Sequence, residues 1–225
     1  MYPRRTLLLL ALLPAGALAQ APGECALGRA QRDIDVGDVV ARVFNTGSLF
    51  FGNSSQAHYL VPRATNRTPI FAGGIWVGGL VDDQLRVAGA TYADFEFWPG
   101  PIDPTTGRPP SPADCSGYDR IWRVSRGDIE QYYLTGEATE DLAEWPYHLG
   151  APVFDGDGDA DNYDLAGGDQ PAISGDQPLW WVMNDVGNVH ENTQVPPIGL
   201  ELQVSAFGFG GGPDALRRAP STGFG

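Results

Sequence analysis

Two rhythms of apolar residues run through the chain. Ile198, Leu200, Leu202, Val204 and Ala206 alternate with Glu201, Gln203 and Ser205, the period of an antiparallel strand with one face in a core. Leu179-Trp180-Trp181-Val182-Met183 is unbroken and closes on Asn184 and Asp185, which predicts a buried strand. Val39–Phe44 predicts another, followed by a turn at Asn45-Thr46-Gly47, the apolar Leu49-Phe50-Phe51 and a loop at Gly52-Asn53-Ser54-Ser55. Ile70 to Val81 is apolar around four glycines, and Asp82-Asp83 joins it to Gln84–Gly89. That stretch predicts a hairpin, and its length and glycine content favour a buried core hairpin over a membrane segment.

Helical signals are few. Ser125–Gly136 carries a serine cap, Asp128 three residues on and a terminal glycine. Thr139–Trp145 predicts a second short helix, stopped by Pro146, with Glu140, Asp141 and Glu144 on a solvated face. The fold class that follows is mainly β: an antiparallel β-sandwich-like domain with long loops and one or two short helices. Phe95–Ser116 reads as a proline-rich loop. Its Phe95, Phe97 and Trp98 either form a sugar-binding platform or cover the core, and the second reading is favoured because aromatics are mostly buried.

The ends change the picture. Arg4 and Arg5, the run Leu7–Leu13 and Ala17-Leu18-Ala19 predict a secretory leader at 1–19, cleaved between Ala19 and Gln20. The run is too short to span a bilayer, and no later segment is long enough. The expected organisation is therefore an N-terminal segment at 20–38, a β-rich domain at 39–209 and a disordered tail at 210–225. Such a protein is secreted, extracellular or at the cell surface. Two cysteines survive processing, Cys25 and Cys115, and in an exported chain such a pair predicts a disulfide.

Charge then narrows the function. The net charge is −14, and −16 once Arg4 and Arg5 leave with the leader. This excludes nucleic acid, whose binding needs a basic footprint. Phe154–Asp185 concentrates the acidity in FDGDGDADNYDLAGGDQPAISGDQPLWWVMND. Asp155, Asp157, Asp159, Asp161 and Asp164 crowd ten residues, and between Arg126 and Arg217 there is no Lys or Arg. Like charges so close repel unless a proton or a cation intervenes. An all-oxygen donor set suits Ca²⁺, which takes six to eight oxygens at about 2.3–2.6 Å, better than Zn²⁺. The candidate ligands are Asp155, Asp157, Asp159, Asp161 and Asp164, with Asp169 as an outer ligand and Asn162 or a carbonyl completing the shell. The loop is not an EF-hand, because Ala160 and Ala166 stand at the sixth and twelfth positions counted from Asp155. The competing reading is a solvated acidic turn. His148 and His190 are isolated and read as structural.

The pieces FNTGSLFFG, IFAGGIWVGGL, FWPGP, DCSGYDRIWRVSRGDIE, WPYHLGAPV, DGDGD…NYDLAGGDQP and GDQPLWWVMND resemble, in that order, the N-terminal region of large secreted proteins of Bacteroidota and Rhodothermota-type bacteria. Those proteins typically end in a type IX secretion sorting domain. The resemblance covers most of the chain after the leader. It implies a secreted or surface multidomain protein whose N-terminal module has no assigned enzymatic activity, and it brings no catalytic residues. The chain departs from that pattern in carrying no sorting domain before Gly225, which keeps a truncated fragment without independent activity among the expectations.

The first expectation is thus a non-catalytic extracellular module stabilised by Ca²⁺, whose partners are an extracellular glycan or other surface modules. The alternative is a glycan-binding or glycan-hydrolysing protein, with catalytic carboxylates among Asp155–Asp185, Glu191 and Glu201. Against hydrolysis, no nucleophile elbow, HExxH or Ser/His/Asp signature is present.

Overall fold

The computed structural model describes residues 24–51, 56–91, 94–172 and 174–211. The leader with its cleavage site, and the tail beyond Gly211, lie outside them.

The first five strands are β1 (Gln31–Ile34), β2 (Val40–Phe44), β3 (Ser48–Leu49), β4 (Tyr59–Leu60) and β5 (Gly73–Gly74). They form an antiparallel sheet of order β1-β2-β3-β5, with β4 also on β2. The N-terminal segment is therefore partly built into the domain, since β1 pairs with β2 from Gln31↔Phe44 to Ile34↔Ala41. Then come β6 (Trp76–Val81), β7 (Gln84–Gly89), β8 (Trp98–Pro99) and β9 (Trp122–Arg123), and β10 (Val153–Phe154) with β11 (Gln170–Pro171). The last two strands are β12 (Gln177–Asn184) and β13 (Glu201–Gly208). The second sheet places β12 at its centre, with β13 on one side and β8 and β9 on the other. All these pairings are antiparallel.

The unbroken apolar run explains why β12 is central. Leu179, Trp181 and Met183 point into one core with Val43, Phe97 and Ile121, where side chains of both sheets meet. Trp180 and Val182 point the other way, onto Trp122, Val124, Ile129, Leu142 and Trp145. A strand buried on both faces has no polar register to keep, hence the continuous run. Truncating a buried Trp in such a place costs about 3–5 kcal/mol. β13 pairs with β12 from Gln177↔Gly208 to Asn184↔Glu201, and only its Leu202, Val204 and Ala206 turn inward.

The helices are α1 (Pro112–Cys115), α2 (Arg126–Thr135) and α3 (Glu140–Ala143). α2 starts at Ser125 with a complete capping box to Asp128 and stops at the left-handed Gly136. α1 is an extra turn inside the proline-rich loop, capped by Ser111 and opened by Pro112. The acids of α3 are not merely solvated: Arg120 bridges Asp141 at 2.8 Å and Glu144 at 2.5 Å while lying over the Trp122 ring. Cys25 and Cys115 are disulfide-bonded, with Cα atoms 5.8 Å apart, and pack with Trp98. In the chain-entropy picture a loop of this length is worth about 4–5 kcal/mol.

The β6–β7 hairpin corrects an expectation. Its turn is the tight one expected, with positive φ at both Asp82 and Asp83. It is not a core element, however: Trp76, Leu80 and Leu85 are 58, 71 and 67% exposed. Among the described residues the two strands pair only with each other, and just Val77 and Ala88 among their side chains reach the core. Gly78 and Gly79 carry no side chain with which to pack further in.

Candidate metal centre

The acidic loop joins β10 to β11. Phe154 pairs with Gln170 at the end of this ribbon, so Asp155 and Asp169 leave it side by side. Asp157 joins them from the loop, and one carboxylate oxygen of each of the three lies within 4.8 Å of the other two. Asp169 is buried, whereas Asp155 and Asp157 are exposed.

Local hydrogen bonds shape the loop. The N–H of Gly158 donates to Asp155 Oδ1 (2.6 Å), that of Asp159 to Asp157 Oδ1 (2.8 Å) and that of Asp161 to Asp159 Oδ1 (3.2 Å). Ala166 N–H likewise donates to Asp164 Oδ1 at 2.9 Å. These are Asx-type turns, which Asp side chains favour. Gly156 is required by a close approach, since a Cβ there would lie 2.3 Å from the Gly168 carbonyl oxygen.

Asp169 is the pivot. Its Oδ2 accepts from Asp164 N–H at 2.7 Å and its Oδ1 from Gly156 N–H at 2.9 Å. Those two N–H groups hold its carboxyl below the usual carboxylate range despite its burial. Beneath the loop, Tyr163 donates to the Leu142 carbonyl at 2.9 Å, and burial, then the charge of Asp169, pushes its hydroxyl pKa up. Tyr147 donates to the Asp161 carbonyl at 3.3 Å. The loop is thus moored to the core side occupied by α3.

Oxygens are left over. Asp157 Oδ2 accepts from Asn162 Nδ2 at 3.2 Å, while Asn162 Oδ1 is buried and, among the described residues, has no hydrogen-bond partner. Asp164 Oδ2 borders the same spot: it and Asp157 Oδ2 lie 3.1 and 2.9 Å from where a Cβ on Gly167 would sit. None of the ion pairs among the described residues involves this loop. Three carboxylates with a neighbouring amide oxygen form a hard-oxygen donor set that could hold a metal ion.

The expected ligands therefore separate. Asp155 and Asp157 converge with Asp169, which is thus a member of the group rather than an outer residue, and Asp164 lies alongside. Asp159 and Asp161 do not join the triad.

A second acidic group went unread in the sequence. Glu96, Asn184, Asp185 and His190 are buried together with the Cys25 end of the chain close by. Asp185 accepts from the N–H groups of Ile198 (2.5 Å), Gly199 (3.0 Å) and Leu200 (2.7 Å). Glu96 accepts from Gly89 N–H (3.1 Å) and from Thr193 N–H (2.6 Å) and Oγ1 (3.0 Å). His190 places Nε2 2.6 Å from the Asp185 carbonyl and Nδ1 3.3 Å from that of Val87 and 3.8 Å from Glu96. The only hint was a lone Glu inside Phe95-Glu96-Phe97-Trp98.

The remaining candidates scatter. Asp185 is fully committed to backbone donors, Glu191 is exposed, and Glu201 accepts from Ile102 N–H at the edge of a proline-rich cleft of about 650 Å³. Phe97 and Trp98 are buried, so the aromatic platform is ruled out and the core-covering reading holds. His148 is exposed beside Tyr147. Among the described residues no helix is long and apolar enough to cross a membrane. Comparison of the chain with protein-family models, with curated proteins and with solved structures finds no match in any of the three.

Proposed function

We propose that the chain is a non-catalytic extracellular module whose 155–169 loop binds one Ca²⁺ as a structural ion. The observation that carries this reading is the convergence of Asp155, Asp157 and Asp169 on a loop with no basic partner. Asn162 and Asp164 complete the oxygen shell, with solvent and backbone carbonyls supplying the rest. The ion neutralises mutual repulsion at the open end of the β10–β11 ribbon, which has only two residues per strand. So short a ribbon is marginal unaided.

Export rests on the leader at 1–19 and agrees with the Cys25–Cys115 disulfide, a bond that oxidising compartments permit. The order of the resembling segments supports placing the module at the N-terminal end of a larger secreted or surface protein.

The test is a thermal melt of the exported protein in Ca²⁺ and in chelator. Stability should rise with free ion as RT ln(1 + [Ca²⁺]/Kd), about 2.7 kcal/mol at a hundredfold excess over Kd. A wild-type melt indifferent to calcium would reduce the loop to a solvated acidic turn.

A further inference from the structure

One wall of a cleft of about 600 Å³ is the exposed face of α2, where Arg126, Glu130 and Tyr133 follow one another at helical spacing. The opposite wall is the β10–β11 ribbon, which contributes Phe154 and Gln170, with Ser174 beyond it. Tyr133 and Phe154 are each 59% exposed, unlike the buried aromatics of the two cores. The cleft thus presents two open rings and, around them, a guanidinium, a carboxylate, a carboxamide and a hydroxyl.

We infer that this cleft is a binding site for neutral oligosaccharide. A pyranose has an apolar C–H face, which suits an open aromatic ring, and a rim of hydroxyls, which suits planar donor–acceptor side chains. Arg126 is oriented for such a rim by Asp176 (3.3 Å) and the Gly175 carbonyl (3.3 Å). Asp176 already pairs with the one guanidinium, Glu130 adds a second carboxylate, and the chain carries −14 overall, so polyanionic glycans are repelled. Phe154 and Gln170 are the last pair of the ribbon, immediately before Asp155 and Asp169. An ion on those carboxylates fixes the ribbon wall of the cleft. Only this calcium dependence rests on the proposed function; the cleft chemistry stands apart from it.

The experiment is affinity electrophoresis of the exported protein through gels containing barley β-glucan, arabinoxylan or galactomannan, with polygalacturonate as the polyanion control. At least one neutral polysaccharide should retard the protein, and polygalacturonate should not. Tyr133→Ala and Phe154→Ala should each weaken retardation about tenfold or more, equivalent to about 1.4 kcal/mol, without lowering the melting temperature, because both rings are exposed. Chelator should weaken retardation and Ca²⁺ restore it. Retardation that survives chelator keeps the cleft and removes its calcium dependence. No retardation by any neutral polysaccharide, in protein whose melt still responds to calcium, overturns the cleft and leaves the metal centre intact. Retardation by polygalacturonate alone, or unchanged in both alanine variants, overturns the inference as well.

Discussion

Two acidic groups in this molecule solve the same problem in opposite ways. Asp185 and Glu96 are fully buried, yet backbone N–H groups and the Thr193 hydroxyl meet their charge. They need nothing from outside. Asp155 and Asp157 face solvent, each with one oxygen on a turn and Asp157 with its second on the Asn162 amide, while Asn162 Oδ1 is buried and, among the described residues, has no hydrogen-bond partner. Counting acids would have ranked the ladder first in both structural and chemical importance. Counting basic and backbone partners separates them: the buried pair is a lock for the 186–200 loop, and the triad is a carboxylate cluster without a basic partner that could hold a metal ion.

The sharpest way to break this contrast is at the lock. Asp185→Ala empties a buried position and takes the acceptor from three N–H groups, those of half-buried Ile198 and Leu200 and of exposed Gly199, and should cost about 2–3 kcal/mol, equally in Ca²⁺ and in chelator. Chemical denaturation in both conditions checks it, and a cost that depends on calcium would blur the two groups into one. Next comes Asp169→Asn, which should abolish most of the calcium-induced rise in melting temperature, since the buried carboxylate is a member of the triad. If the rise persists undiminished, Asp169 is only a turn anchor.

Acid gives a further, smaller discrimination. The folded pKa of Asp169 is lowered, so its contribution to stability is full above the unfolded value of about 3.9 and fades as pH falls through the folded value. In chelator, the stability gap between wild type and Asp169→Asn should therefore be flat at neutral pH and shrink below about pH 4. Melts from pH 6 to pH 3 measure it, and a gap that widened with acid would reverse the sign. Smallest of all, Asp159→Ala with Asp161→Ala should keep the calcium response, costing about 0.5 kcal/mol or less as exposed changes. Loss of the response in that double variant would restore the linear ladder as the ligand set.

How much of this was legible in the sequence depends on what each feature rests on. The β12 strand, the alternation of β13, the capping box of α2 and the Asp82-Asp83 turn are local patterns, and they read correctly. The placement of the β6–β7 hairpin is not local. Its apolar residues fit a core and a projecting arm equally well, and only Val77 and Ala88 among their side chains are taken into the core. The acidic triad was half legible. Residues two apart along the ladder suggested a linear ligand set, yet in the structure that spacing serves Asp-to-backbone turns. Asp169 meets Asp155 because Gln170 pairs with Phe154 across the ribbon. A pairing between two-residue strands leaves almost no periodic trace. Glu96 was hidden because its donors lie outside its own run, Gly89 seven residues before it and Thr193 97 residues after it.

The most direct measurement is calorimetric titration of Ca²⁺ into chelator-treated, exported protein, repeated with Asp157→Ala and with the Asp159→Ala, Asp161→Ala double variant. The account predicts one saturable site in the wild type and in the double variant, and its loss in Asp157→Ala. Absence of a saturable site in the wild type, or a site that survives Asp157→Ala and disappears in the double variant, would contradict it.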